Sequence, residues 1–333
     1  MQSKKPLLTI AVPTYNRSAF LKQLLDVLAP QIANEPQVEL LISDNASPDD
    51  TPEVVESFRK KGLKVIYQRN VTNIGSDANF LQCYNMARGD FAWIFGDDDV
   101  IVDGGLRQVV RVLEKYECDL VAVSSYPFRD SFVPPDGSRL KGKVVVFSNA
   151  VNYALRTSTY LAFISGNIIR KTTLEAKPHR DFSELIGTNL IHLSWTYTLL
   201  SRNPKCILIR DRIVAIRTEN TGGYGTCQVF GRNIKQMIRV ILEEESKLGR
   251  ALLNKNLQHF LPWAVVEDRS GKSVNNFPED TEGILRDLFG GNFRFWLFLW
   301  PALKLPLPLA KMWSFLVRVT NRADRILGHP IAR

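Results

Sequence analysis

The chain has 333 residues, 45% apolar and 23% charged, with a formal net charge of +9. That length supports a large core with an appendage, and the composition is that of an ordinary globular protein. Its four cysteines, Cys83, Cys118, Cys206 and Cys227, form no CxxC pair and no zinc-type cluster, which reads as idle thiols in a reducing compartment. The polar start, Met1 to Pro6, lacks the apolar core of a secretory signal, and no stretch offers ~20 uninterrupted apolar residues. The positive balance suits anionic partners, but the basic residues are scattered apart from the tail, which argues against a nucleic-acid binder.

The first part of the chain alternates strands and helices. Leu7 to Val12, Val38 to Ile42, Lys64 to Tyr67, Phe91 to Phe95 and Leu120 to Ser124 read as buried strands. Between them, Ser18 to Ala29, Thr51 to Lys60, Ser76 to Ala87 and Leu106 to Tyr116 carry helical stripes. This predicts an α/β fold with a mostly parallel, Rossmann-like sheet flanked by helices. Further on, Pro127 to Gly142 reads as a loop, and Tyr160 to Ile164 and Asn167 to Arg170 as strands around Ser165-Gly166. Thr188 to Leu200 reads as a helix, Cys206 to Ile209 with Ile213 to Ile216 as a hairpin, Thr218 to Thr226 as a glycine loop and Val229 to Leu248 as a long helix. Three domains follow. Residues 1–228 form a catalytic domain, with a nucleotide-binding half 1–125 and an acceptor half 126–228. Residues 229–290 form a helical extension, and residues 291–333 an aromatic and basic amphipathic tail.

Ligands bind at the carboxyl ends of strands in such sheets. Polar clusters fall at four successive ends: Thr14 to Arg17, Asp44 and Asn45, Asn70 and Asn73, and Asp97 to Asp99. The triplet Asp97-Asp98-Asp99 is the sharpest, because three adjacent carboxylates repel one another unless cations are present. Mn²⁺ or Mg²⁺ suits such oxygen ligands together with substrate phosphates. A solvated turn capping the next helix is the plainer reading.

The ordered set resembles family 2 glycosyltransferases, which have the GT-A fold. Pro13-Thr14-Tyr15-Asn16-Arg17 resembles that family's opening after the first strand. Asp44-Asn45-Ala46-Ser47-Pro48-Asp49-Asp50 resembles its second segment, Asn73-Ile74-Gly75 its third, and Ala87-Arg88-Gly89-Asp90 with the triplet its metal motif. Asn79 and the Gly-Asp-Asp-Asp form are closest to the abequosyltransferase-like branch of bacterial polysaccharide enzymes. The resemblance implies that Pro13, Thr14 and Tyr15 cradle the base and ribose of a nucleotide-diphosphate sugar. It implies that Arg17 meets phosphate, that Asp44 reads the base, and that Asn73 and Gly75 flank the nucleotide. Asn16, Asn45, Asn79 and Asp97 join the donor site, Asp98 touches the ribose or sugar, and Asp99 with Asp98 binds the metal. Asn16 doubles as a helix-cap candidate and Asn45 as an Asx-turn candidate. The family's usual first acid falls on Gly96, so the triplet is shifted.

The implied activity is inverting, metal-dependent transfer of a hexosyl or deoxyhexosyl group to a saccharide or lipid-linked saccharide, in cell-surface polysaccharide (O-antigen, lipopolysaccharide) synthesis. Inversion needs a general base. The family's acidic pair corresponds here to Gly187-Thr188-Asn189, which lacks both acids, so Glu184 and His192, then Asp181, are the candidates. Ser165-Gly166-Asn167 resembles an acceptor-side stretch, and Arg217 and Arg232 flank the glycine loop as candidate phosphate partners. Phe293, Trp296, Trp300 and Trp313 with basic neighbours make the tail a candidate anchor for an anionic membrane surface. That places the protein in the cytoplasm, peripheral at the inner membrane; an oligomer is compatible with the sequence. The alternatives are a sugar-phosphate nucleotidyltransferase, which needs a glycine-rich signature absent after the first strand, and a nucleotide-binding or membrane scaffold that has lost its base.

Overall fold

The computed structural model describes residues 5–130, 132–133, 140–218, 223–271 and 277–327, with side chains described through Val319. The chain divides into two compact units: residues 1–150 with 160–218, and residues 151–159 with 219–333.

The first unit is built on one sheet. Its strands are β1 (Leu8–Thr14), β2 (Val38–Asp44), β3 (Ile66–Arg69), β4 (Phe91–Ile94), β5 (Val100–Ile101), β6 (Leu120–Phe128), β7 (Val144–Phe147), β8 (Asn167–Arg170) and β9 (Cys206–Arg217). The order is β3-β2-β1-β4-β8-β6-β9-β5, with β7 also on β9. Strands β1 to β4 are mutually parallel, and β6 and β9 run the same way. The antiparallel insertions are β8, β5 and β7. Both faces of β1 and β2 are buried, which matches their largely apolar sequences; the buried Thr9 and Glu39 bond each other across the pair (3.0 Å).

The parallel strands are linked by α1 (Ser18–Ala33), α2 (Thr51–Lys60) and α3 (Ser76–Met86), and α4 (Gly105–Lys115) follows β5. Helix α1 buries Leu21, Leu24, Leu25, Leu28 and Ile32, a single 3.6-period stripe. It runs past Pro30, where the sequence predicts its end. Proline removes one hydrogen bond near the last turn, and side chains satisfy that turn's carbonyls: Gln31 Nε2 donates to Val27 O (3.2 Å) and Asn34 Nδ2 to Pro30 O (2.9 Å).

Three sequence expectations change. The hairpin over 206–216 is one bent strand, β9, because Arg210-Asp211 is absorbed as a bulge opposite Val123 and Ser124. Asp211 is tied there by Gln108 Nε2 (2.8 Å) and the Lys143 N–H (3.0 Å). The strand expected over 160–164 is helical turn instead, closed by Asn167 Nδ2 donating to the carbonyls of Leu161 and Phe163. The long helix from 229 ends at Leu242, where Glu243 takes a φ of 62°, and a new helix starts under the Ser246 cap. The loop read over 127–142 lies partly outside the described residues, as does the Gly222 end of the glycine loop.

Short helices α5 (Ala150–Thr157) and α6 (Lys171–Glu175) precede α7 (Ile191–Ser201). The second unit is helical: a run over 228–242 centred on α8 (Ile234–Met237), then α9 (Lys247–Lys255), α10 (Leu261–Arg269), α11 (Thr281–Phe289), α12 (Trp300–Lys304) and α13 (Leu307–Leu327). Among the described residues, no helix is long and apolar enough to cross a membrane. All four cysteines are buried and form no disulfide.

Candidate active site

The parallel register brings the strand ends into line. Thr14 lies beside Asp44, the Asn45 N–H donates to Thr14 O (2.9 Å), the Asn70 N–H to Asp44 O (2.8 Å), and the Phe95 N–H to Ala11 O (2.9 Å). Four motifs scattered between Thr14 and Asp99 therefore share one carboxyl edge of the sheet.

The triplet occupies the turn between β4 and β5 and does not cap α4, whose N-terminus is reached instead by Gln31 Oε1 accepting from the Leu106 N–H (3.2 Å). Asp97 accepts from Thr14 Oγ1 (2.7 Å) and from Arg17 (3.2 Å), and the same Arg17 nitrogen reaches Asp98 at 3.2 Å. Asp99 accepts from Ser165 Oγ (2.6 Å) and from the Arg217 N–H (3.2 Å). Asp97 and Asp99 are almost fully buried and Asp98 only partly. Burial, reinforced by repulsion from Asp98, pushes Asp97 up to about 7 against the pull of Arg17 and Thr14. The same two causes push Asp99 well above the usual carboxylate range, and burial raises Asp98 despite Arg17. Three carboxylates facing Arg17, with a weaker field from Arg217, form a site short of positive charge.

Gly96, where the resemblance places the family's first acid, is closely packed. A Cβ there would stand 3.0 Å from Asp98 Oδ1, 3.2 Å from Asp99 Oδ2 and 3.3 Å from Ser165 Oγ. The Gly96 N–H donates to Ser165 Oγ (2.9 Å), and that hydroxyl donates on to Asp99. A Cβ at 96 would therefore require Asp98, Asp99 and Ser165 to give way slightly.

The other donor-side residues form a hydrogen-bonded frame. Asp44, fully buried, accepts from the Ser47 N–H (2.8 Å) and Tyr67 OH (2.6 Å), with Arg69 Nε at 3.5 Å. Asn45 grips the following loop: its amide donates to Asn73 Oδ1 (2.8 Å), and its oxygen accepts from Asn70 and the Ile74 N–H. Asn73 in turn accepts from the Gly75 N–H (2.8 Å), and Gly75 has φ 87°, a conformation that favours glycine. Asn79 is buried and exchanges two hydrogen bonds with Ser43. Asn16, at φ 54°, donates its N–H to Ser47 Oγ, while Asp49 accepts from the Ser18 N–H and so does the capping of α1 expected of Asn16. Pro13 pairs with Ser43 in the ladder, and Tyr15 is 44% exposed at the rim.

The base candidates lie apart from this hydrogen-bonded cluster. Glu184 is exposed and paired with Arg180 (2.6 Å), and Asp181 caps its own short turn through the Ser183 N–H (2.9 Å). His192 is buried: its Nε2 donates to Ala162 O (2.7 Å), Nδ1 has no partner, and burial lowers it to about 4. The 187–191 loop, which lacks the family's acidic pair, is gripped by Asp77. That carboxylate accepts from the N–H groups of Gly187 (2.9 Å), Asn189 (2.8 Å) and Ile191 (3.3 Å), tying the start of α7 to the start of α3. Sequence reading passes over Asp77, because an acid in the first turn of a helix is ordinary. Arg217 is more engaged than its sequence suggests: its guanidinium lies over both Phe20 (4.5 Å) and Phe128 (4.7 Å) while its N–H holds Asp99. Arg232 belongs to the second unit.

Among the described residues, no three His, Cys, Asp or Glu side chains converge as a ready-made metal cage. Asp99 and Asp98 nevertheless fit a hard cation that keeps water and substrate phosphate as its remaining ligands, since the cluster is short of positive charge.

Comparison with known proteins agrees with this geometry. An abequosyltransferase of Salmonella typhimurium, RfbV, is 30% identical over 235 residues, 64% of this chain and 67% of its own length. A Campylobacter jejuni GalNAc(5)-diNAcBac-PP-undecaprenol beta-1,3-glucosyltransferase is 29% identical over 107 residues, 32% of this chain and 34% of its own length. The chain thus matches only about a third of that second relative. In fold, Staphylococcus aureus TarS 1-349 in complex with UDP superposes with a TM-score of 0.62 at 18% identity, covering 97% of this chain and 92% of that one. The mannosyltransferase PcManGT of Pyrobaculum calidifontis, with GDP-Man and Mn²⁺, gives 0.57 at 15%, covering 98% and 89%. The family model for Glycosyl transferase family 2 matches residues 9–204. With that match over more than half its length, and with the GT-A architecture of its structural neighbours, the chain belongs to glycosyl transferase family 2.

Proposed function

We propose that the protein transfers a sugar from a nucleotide-diphosphate donor, with inversion, to a saccharide or lipid-linked saccharide acceptor. The observation that carries this reading is the buried triplet, cross-linked to the β1 loop by Thr14 and Arg17 and to Ser165 on the other side. A fold rarely retains three neighbouring carboxylates, two of them buried, without a cationic or proton-handling task. Mn²⁺ or Mg²⁺ held by Asp99 and Asp98 would supply Lewis-acid neutralisation of the leaving diphosphate. Pro13, Thr14 and Tyr15 line the path of the nucleoside, with the Asn45–Asn73–Gly75 frame holding the loop beside it. Asp44 and Asn79 act through that frame, since their polar atoms are already bonded within the protein. Arg17 and Arg217 place positive charge toward the phosphates.

Glu184 is our candidate base. It is accessible, unlike sealed His192, and it precedes by three residues the loop that Asp77 ties to α3. Its carboxylate would take the proton of the acceptor hydroxyl as the oxygen attacks the anomeric carbon opposite the departing diphosphate, which gives inversion. The name of the Campylobacter jejuni relative, a glucosyltransferase for GalNAc(5)-diNAcBac-PP-undecaprenol, supports a polyprenol-linked saccharide acceptor.

The test is a panel of nucleotide sugars assayed for binding and transfer with and without Mn²⁺. Transfer that requires the metal, with an inverted product anomer, is the expected outcome. Binding without turnover would favour the scaffold reading, and the absence of both nucleotide binding and metal dependence would sink the proposal. For the base, Glu184→Gln should lower kcat and abolish the acid limb of the pH–rate profile, whereas His192→Gln should leave that limb in place.

A further inference from the structure

Helix α13 has two apolar faces, and the fold uses only one. Ala310, Ser314 and Val317 are buried within the second unit, and Trp313 is turned inward, its Nε1 donating to Phe298 O (3.0 Å). Leu309, Met312, Phe315, Leu316 and Val319 are exposed, from 43% to 64%. At about 100° per residue these five fall within an arc of roughly 120° on the side away from the buried set. One flank of the arc carries Lys311 and Arg318, both exposed. Just upstream, Phe293, Trp296 and Leu297 add a second exposed apolar group. Contiguous exposed apolar surface of this kind marks an interaction site on a soluble fold.

Charge identifies the partner. Nine acidic residues lie between Glu243 and Asp287, whereas none lies between Gly291 and Val319, where Arg294, Lys304, Lys311 and Arg318 are the charged residues. An apolar stripe bordered by basic side chains and free of carboxylates matches an anionic lipid surface, with the stripe at the acyl boundary and the cations at headgroup depth. We propose that the second unit docks on anionic membrane through the Leu309–Val319 face of α13, lying in the interface rather than crossing it. Spanning is not required of it: no described helix is long and apolar enough.

The experiment uses the full chain and two kinds of vesicle, one of equal parts phosphatidylcholine and phosphatidylglycerol, the other of phosphatidylcholine alone. Co-sedimentation should be strong with the first, weak with the second, and should fall as salt rises. The double change Met312→Glu with Phe315→Glu should lower partitioning at least tenfold, because two apolar side chains leave the boundary and two negative charges enter it. Lys311→Glu, on the exposed flank, should lower it about fivefold or more, and it keeps the proposal testable if the double variant fails to fold. Unaltered thermal unfolding and nucleotide binding in these variants would show that the catalytic unit is intact, so this result stands or falls apart from the proposed activity. Three results overturn the proposal: no retention on either vesicle, equal retention on both, or a dimer in solution that the α13 changes dissociate.

Discussion

Two regions of the first unit bury carboxylates in opposite ways. Asp77 receives three backbone N–H groups at the meeting of two helix starts, where helix dipoles favour negative charge. Burial still raises its proton affinity, and the backbone hydrogen bonds counter that. The triplet is held mostly by side chains from distant segments, Thr14, Arg17 and Ser165, together with the Arg217 N–H, and its charge is not balanced. The first arrangement finishes a fold. The second leaves a deficit of positive charge, the feature on which the proposed metal–diphosphate site rests.

The largest expected effect separates the two. Asp99→Asn should lower sugar transfer about 10²–10³-fold, in line with removal of a preorganised electrostatic contact. Its thermal stability should hold or rise, because one repelling charge is gone. Asp77→Ala should do the reverse in kind: stability falls by about 2–4 kcal/mol as buried N–H groups lose their acceptor, and transfer falls through a loosened 187–191 loop. Denaturant unfolding and initial rates on both variants check this. Full stability in Asp77→Ala with lost transfer would break the contrast and place Asp77 in the chemistry.

The sheet was legible because its strands are short apolar runs ended by polar clusters. The register of β1 against β2 and β4 then aligned Thr14, Asp44 and the triplet as the sequence order implied. What stayed hidden depends on packing across long separations. Ser165 meets Asp99 from 66 residues away, and Asp77 meets Asn189 from 112. Neither contact leaves a periodic trace. The β9 bulge misled for a local reason: Arg210-Asp211 interrupts an apolar run as a turn does, although no glycine or proline is there to make one. Asp44 and Asn79 stand at positions that resemble the family's, and their side chains also bond Tyr67, Ser47 and Ser43, contacts that no motif spells out.

His192 sharpens the comparison as a third buried titratable group, one that is poorly satisfied. It stays neutral in the folded protein down to about pH 4, whereas an imidazole in the unfolded chain takes up a proton near 6.5. Acid therefore favours the unfolded chain between those values. The stability this residue contributes is present above about pH 6.5 and is lost as pH falls toward 4, at up to about 1.4 kcal/mol per pH unit. The raised carboxylates act in the opposite sense over part of this range. The observable is thus the difference between wild type and His192→Gln, which keeps an N–H for Ala162 O but cannot titrate. That difference should grow steadily from pH 7 to pH 5 in urea titrations; a constant difference would mean that His192 takes up its proton in the fold as it does in the unfolded chain.

The smallest effect tests how tightly the triplet is framed. Ser165→Ala removes the hydroxyl that accepts from the Gly96 N–H and donates to Asp99. The neighbouring Trp93 Nε1 bond to Ser165 O (2.9 Å) runs through the backbone and survives. One lost hydrogen-bond relay is worth about 1 kcal/mol, so stability should fall slightly and transfer about fivefold. Because Ser165 is assigned to orienting Asp99, the loss should show as a higher metal requirement, with donor KM little changed at saturating Mn²⁺. A loss as large as that of Asp99→Asn, insensitive to added metal, would mean that the hydroxyl itself contacts the donor sugar, and Ser165 would then move from the frame of the site into its binding surface.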